Sequence, residues 1–261
     1  MNLDLSGKTA VICGSTQGLG YASAAELAML GCNVILLARN ETKLIEAVKS
    51  LTVSKEQTHG YLVADFTNTE TVKNVINELV KNRAVHILVN NTGGPAGGSA
   101  LSATADEFLQ AFNNHLINNH NLTQAVVPGM KAAGFGRIIN IISTSVKMPL
   151  AGLGVSNTIR GAVASWAKTL ATELGPFGIT VNNVLPGFTK TSRADYVIAQ
   201  KAANTGKTAK QVLEEIVAEI PARRIGDPQE FGAAVAFLCS PAAAYINGIN
   251  LPVDGGKLGC L

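Results

Sequence analysis

The sequence predicts an α/β fold: one domain over residues 1–261, built on a doubly wound parallel sheet with helices on both faces. Three observations carry that expectation. Short apolar runs alternate with longer helix-compatible stretches along the whole chain. The runs are continuously apolar, as strands buried on both faces require. The first run, Thr9–Cys13, ends in a glycine-rich turn, Gly14-Ser15-Thr16-Gln17-Gly18-Leu19-Gly20, that opens onto an alanine-rich helix.

That turn organises the rest. Glycines let the backbone turn tightly and come close to a ligand. A helix start offers free N–H groups and the positive end of a dipole to an anion. The glycines stand at 14, 18 and 20, in the order G-x-x-x-G-x-G. Spacing alone fits a plain strand-to-helix turn. Its place at the end of the first strand of an alternating chain makes it a phosphate cradle.

The remaining elements follow in order. Strands are expected at Asn33–Ala38, 59–64, 85–89, 137–142, 179–185 and 249–253. Helices are expected at 18–30, 41–51, 69–81, 105–133, 157–174 and 228–238. Thr67 or Asn68 caps the third helix. Two polar helices at about 192–224 form an insertion or lid. Gly14, Ala38, Asp65, Asn90, Ser143 and Pro186 all fall at or just past strand ends, so they converge on one cleft.

Composition excludes several classes. A net charge of +3, without a Lys/Arg cluster, argues against a nucleic-acid partner. No apolar stretch is long enough to span a bilayer, and no signal-peptide pattern opens the chain. Cys13, Cys32, Cys239 and Cys260 stand alone, without metal-ligand spacing, and fit a reducing cytoplasmic setting. No metal site is expected.

At Asn90-Asn91-Thr92-Gly93 the accumulated motifs resemble the short-chain dehydrogenase/reductase family. The glycine turn, Asp65, Asn140 with Ser143, Pro186-Gly187 and Asp254-Gly255-Gly256 fit the same pattern, and the resemblance covers essentially the whole chain. The shape is similar to that of the β-ketoacyl-acyl carrier protein reductases. It implies a Rossmann sheet of about seven strands and a homotetramer or homodimer. It also implies hydride transfer between a nicotinamide cofactor and a small carbonyl or alcohol substrate.

The resemblance further implies cofactor roles. Gly14, Gly18, Leu19 and Gly20 approach the pyrophosphate; Asp65 and Phe66 meet the adenine. Asn90 and Gly93 line the adenine and ribose side, largely through backbone groups. Pro186, Gly187 and Thr189 flank the nicotinamide carboxamide, and Thr191 bonds phosphate or amide. Asp254 reads as a turn or interface residue. Where an acid at the end of the second strand would select NAD(H), this chain has Ala38 and then Arg39. A guanidinium suits a 2′-phosphate, with Ser15 and Thr16 as further hydroxyl contacts, so NADP(H) is favoured over NAD(H).

The catalytic positions depart from the family's Ser-Tyr-Lys-Asn set. Ser143 keeps the serine, but the tyrosine position holds Ser156, the lysine position Arg160 and the asparagine position His115. A serine hydroxyl is a poorer proton donor than a phenol. Arginine stays charged but can still hold ribose hydroxyls, so Arg160 joins both the catalytic and the cofactor sets. His115 is the group whose ordinary pKa suits proton transfer near neutrality, although a helix histidine bonded to its neighbours fits equally well. Two readings follow: an NADP(H)-dependent oxidoreductase with a non-standard catalytic set, or a catalytically silent dinucleotide-binding sensor or scaffold.

Overall fold

Residues 1–260 are described by the structure, a computed structural model. Seven strands form one sheet in the order β3-β2-β1-β4-β5-β6-β7, every neighbouring pair parallel. They are β1 (Thr9–Cys13), β2 (Asn33–Ala38), β3 (Gly60–Val63), β4 (Ile87–Asn90), β5 (Gly136–Ile141), β6 (Ile179–Pro186) and β7 (Asn250–Val253). The helices are α1 (Gly18–Met29), α2 (Glu41–Lys49), α3 (Thr69–Asn82), α4 (Ala105–Phe112), α5 (Asn118–Ala133), α6 (Gly154–Leu174), α7 (Ser192–Thr205), α8 (Ala209–Ala218) and α9 (Pro228–Cys239).

Apolar side chains alternate across the sheet and fill two cores. Ile12, Leu36, Val89 and Ile139 face α1 and α9; Val11, Leu37, Leu88 and Ile138 face α3, α5 and α6. The chain runs from β1 outward to β3, then crosses back so that β4 lies on the other side of β1. The strand order therefore reverses between β1 and β4, the place where such sheets open a crevice for ligands. The turn after β1 and the loop after β4 emerge there.

Strand positions fall within two residues of expectation. Asn68, and not Thr67, caps α3, accepting a hydrogen bond from Thr71 N at 3.1 Å. The helical stretch expected over 105–133 is observed, with an irregularity inside it that the pattern does not predict. A π-helical turn, Asn113–Ile117, separates α4 from α5 and inserts an extra residue into the helical ladder. Its asparagines compete with the helix for backbone partners: Asn118 Nδ2 donates to Asn114 O at 3.3 Å and to Phe66 O at 2.7 Å.

A row of amides ties four strands together. Asn90, Asn140, Asn183 and Asn250 stand in register on β4, β5, β6 and β7. Each Nδ2 donates to the next Oδ1, at 2.9, 2.9 and 2.8 Å. These amides point into the α5–α6 side of the sheet, where an unpaired one is costly to bury. An Asn183→Leu variant strands the buried Asn140 Nδ2, while the exposed Asn250 turns to water, and is expected to lose about 1–3 kcal/mol, read as a lower urea midpoint. An unchanged midpoint would show the ladder to be energetically idle.

At the opposite end of the sheet, two histidines stand in for carbonyls. His86 Nδ1 accepts from Thr9 N and His59 Nδ1 from Val34 N, each at 3.1 Å. Both roles need a bare ring nitrogen. Cys13, Cys32 and Cys239 are buried and unpaired, and burial pushes the Cys13 and Cys32 thiols up to about 12. No helix among the described residues is long and apolar enough to cross a membrane, and no cluster of metal-ligating side chains occurs among them.

Candidate active site

The glycine turn is shaped by close contacts. Gly14 and Gly18 hold φ of +56° and +61°, a left-handed region that glycine occupies freely. A side chain at Gly20 would stand 2.4 Å from Gly14 O and 2.7 Å from Asn91 Nδ2. Asn91 itself is clamped, its Nδ2 donating to Cys13 O at 3.2 Å and Gly14 O at 3.1 Å. Sequence reasoning assigned Asn91 no role; the Asn90-Asn91 doublet was the signal. Gln17, the N-cap of α1, makes no side-chain cap, and no acid lies in the first turn. The N–H groups of that turn are thus arranged for an anion, which fits a dinucleotide pyrophosphate.

Ser15 corrects an expectation. Its hydroxyl was expected to face a 2′-phosphate, but it is fully buried and accepts from Leu37 N at 3.1 Å. It completes the pairing of β1 with β2, because Gly14 N already donates to Leu37 O at 2.8 Å. Thr16 is half-buried. Arg39 is exposed just past β2 and makes no ion pair among the described residues. Asp65 accepts from Thr67 N and Oγ1, both at 2.9 Å, through one carboxylate oxygen. Those bonds, helped by the Arg39 charge, hold its carboxyl below the usual range. Phe66 packs its ring at the core margin. Leu19 likewise packs against the other core.

The far side of the cleft comes from β6 and the segment after it. Gly187 N donates to Val253 O at 2.9 Å, and a side chain there would meet Asp254 Cα at 2.4 Å. Pro186-Gly187 is thereby pinned to the end of β7. Thr189 is buried and pairs with Gly226. Thr191 caps α7 by accepting from Ala194 N at 3.3 Å, and its methyl would lie 3.6 Å from a side chain at Gly18. Gln17 Nε2 donates to Ser192 Oγ at 3.1 Å, so the glycine turn touches the start of α7. Asp254 accepts from Gly256 N and Leu258 N, as a turn residue does.

Two of the residues at the replaced catalytic positions, Arg160 and His115, meet at Thr92. Arg160 is buried; its Nη1 donates to Ile141 O at 3.1 Å and its Nη2 to Thr92 O at 3.5 Å. No carboxylate pairs with it among the described residues. Burial pulls the guanidinium down to about 10, so it stays charged at neutral pH. The loop carrying Thr92 is held by Gly98, which bonds Gly152 O at 2.7 Å and accepts from Gly154 N at 2.9 Å at the start of α6.

His115 sits in the π-helical turn, buried, with Nδ1 2.5 Å from Thr92 Oγ1. Burial, then the Arg160 charge, pulls its pKa down to about 3. Its titration is therefore moved well below neutrality, contrary to the expectation from its ordinary pKa. The ring is neutral there, and a charged imidazolium is not the proton donor. Ser143 is half-buried at the end of β5, and its Oγ accepts from Ser145 N at 3.0 Å. That bond leaves the hydroxyl proton free to point outward. Ser156 lies half-buried on the first turns of α6. Asn90, by contrast, turns its side chain into the amide ladder, and Gly93 is exposed beyond it.

Comparison with known proteins identifies the family. A family model described as enoyl-(acyl carrier protein) reductase matches residues 14–257. A chloroplastic tropinone reductase homologue of Arabidopsis thaliana is 32% identical over 254 residues, 97% of this chain and 76% of the relative. A 3-oxoacyl-[acyl-carrier-protein] reductase of Rickettsia bellii is 34% identical over 258 residues, 98% of this chain and 99% of the relative. The crystal structure of L-sorbose reductase from Gluconobacter frateurii, complexed with NADPH and L-sorbose, superposes with a TM-score of 0.93 at 31% identity, all of each chain covered. With the fold, the glycine cradle and these likenesses together, the chain belongs to the short-chain dehydrogenase/reductase family.

Proposed function

We propose that this chain is an oxidoreductase that transfers a hydride between NADP(H) and a small carbonyl or alcohol substrate, using a non-standard catalytic set. The observation that carries the reading is the junction of the glycine turn with Thr191 and Ser192, which closes the cleft around the uncapped start of α1. The NADPH held by the sorbose reductase supports the same choice of cofactor. Gly14, Gly18 and Gly20 hold the pyrophosphate, Arg39 the 2′-phosphate, and Asp65 and Phe66 the adenine. Asn90 and Gly93 line the ribose side with backbone groups, and Pro186, Gly187 and Thr189 flank the nicotinamide.

When bound, NADP(H) supplies or accepts the hydride. Ser143 donates a hydrogen bond from its free hydroxyl to the substrate oxygen. Ser156, where a phenol would stand, leaves room for substrate. Arg160 holds ribose hydroxyls and sets a positive potential where oxygen gains negative charge. His115 adds a hydrogen bond as a neutral ring. Helices α7 and α8 cover the cleft, and a reducing cytoplasm and a homotetramer or homodimer complete the reading.

Titration by cofactor fluorescence tests it. NADPH is expected to bind at least about tenfold tighter than NADH, with Arg39→Asp reversing the order. Turnover is then measured over a panel of carbonyls and alcohols, in wild type and Ser143→Ala. Tighter NADH binding would overturn the role of Arg39. Tight NADPH binding with no turnover over the panel would favour a silent sensor or scaffold, the reading motivated by Ser156 and Arg160.

A further inference from the structure

Thr92 stands where three features meet. Its hydroxyl lies 2.5 Å from His115 Nδ1, and its carbonyl accepts from Arg160 Nη2 at 3.5 Å. Its loop is fastened to the start of α6 through Gly98. A threonine hydroxyl carries one proton, and His115 Nδ1 is its hydrogen-bond partner among the described residues. Donation from Oγ1 to Nδ1 leaves the proton of a neutral imidazole on Nε2. That nitrogen makes no hydrogen bond among the described residues.

The surroundings keep the ring neutral. The π-helical turn is packed between α3, α4, α5 and α6. Arg160, from α6, is the charged group that acts on the imidazole, and α3, α4 and α5 bring no other to bear. A cation beside a buried ring disfavours a second positive charge. A neutral imidazole with a fixed N–H can polarise a carbonyl without transferring its own proton.

We propose that Thr92 is a positioning residue that fixes His115 as the Nε2–H tautomer, so that His115 serves as a neutral hydrogen-bond donor to the substrate oxygen. The inference rests on the oxidoreductase reading for its substrate, though not for its tautomer. In the reducing direction the carbonyl carbon gains a hydride and the π electrons move onto oxygen. That oxygen takes its proton from bulk water while the His115 and Ser143 donors hold it. His115 ends the step in the state in which it began, and the donated hydrogen bond lowers the barrier as charge develops on oxygen.

The test has one readout that needs no substrate. Protein labelled with 15N in its four histidines is examined by NMR, and His115→Gln identifies the His115 signals. Wild type is expected to show a bare Nδ1 and a protonated Nε2 from about pH 8 down to about pH 5, with no titration in that range. Thr92→Ser should keep the pattern, and Thr92→Val should lose it. A protonated Nδ1 in wild type, or an imidazolium forming near pH 6, would overturn the proposal.

The second readout is turnover on whichever carbonyl the panel finds. Thr92→Val should lower kcat about tenfold with KM changed less than about twofold, and Thr92→Ser should restore it. An unchanged kcat in Thr92→Val, beside the expected tautomer in wild type, would also overturn the proposal. A wild type without any turnover counts against the oxidoreductase reading. The NMR result then decides the tautomer by itself.

Discussion

A Gly20→Ala variant is expected to bind NADPH at least about 100-fold more weakly than wild type, a loss of about 3 kcal/mol. The added carbon would stand 2.4 Å from Gly14 O and 2.7 Å from Asn91 Nδ2. Neither neighbour can step aside. Gly14 is held through its N–H to Leu37 O, and Asn91 is fastened to Cys13 O and Gly14 O. The turn must open instead, and the α1 N–H groups then point away from the pyrophosphate. Gly18→Ala is the informative partner. Its φ of +61° strains alanine, but the nearest atom, Thr191 Cγ2, lies 3.6 Å away. Its loss should stay near about tenfold, set by about 1–2 kcal/mol of backbone strain. Fluorescence titration of both variants decides. Equal losses, or a Gly20→Ala protein that binds like wild type, would show that the cradle is not shaped by this contact.

The second large effect is on stability in acid. The folded His115 pKa of about 3 lies below its ordinary 6.5, so folding favours the neutral ring. Its contribution is fully present above about pH 6.5 and is lost as pH falls toward 3, at about 1.4 kcal/mol per pH unit. His86 acts in the same direction, its pKa lowered chiefly by burial, and a proton on its Nδ1 would cost the bond from Thr9 N. Between about pH 6.5 and 5 these histidines lead, and Glu26, whose carboxyl pKa is raised by burial, acts in the opposite direction. Asp4 and Glu230, held down to about 2 by Lys55 and Arg224, contribute only below the ordinary carboxylate range. Urea unfolding at about pH 7 and pH 5 should therefore differ by at least about 2 kcal/mol in wild type. His115→Gln should flatten most of that slope. A wild type equally stable at both values would mean that His115 is not buried as a neutral ring.

Much of this architecture was legible in the residues themselves. The continuously apolar runs placed the strands, and Gly14, Gly18 and Gly20 at the end of the first strand marked the ligand side of the sheet. What the residues could not show is what each side chain meets. Ser15 reads as an outward hydroxyl until β2 comes beside it and takes that oxygen for Leu37 N. His115 reads as a neutral-pH acid until burial and Arg160 remove its charge, and Arg160 lies 45 positions along the chain. Thr92 drew no notice because its partners stand 23 and 68 residues away. The helical pattern across 105–133 is legible, and the π-helical turn within it is not: local propensity there is weak, and side-chain bonds such as Asn118 to Phe66 O hold the chain where that turn ends.

The amide row across β4 to β7 has a further consequence for how the chain finds its structure. Parallel strands are joined by long crossovers, so their pairings are distant in sequence and form late. A flat apolar strand could then settle one residue out of step with small penalty. A one-residue slip would turn Asn140 to the opposite face, against the packing of α1 and α9, and break its bonds to Asn90 and Asn183. The row thus works as a vernier. It favours the observed alignment of four strands, in which the strand ends that carry Ser143 and Pro186 come level.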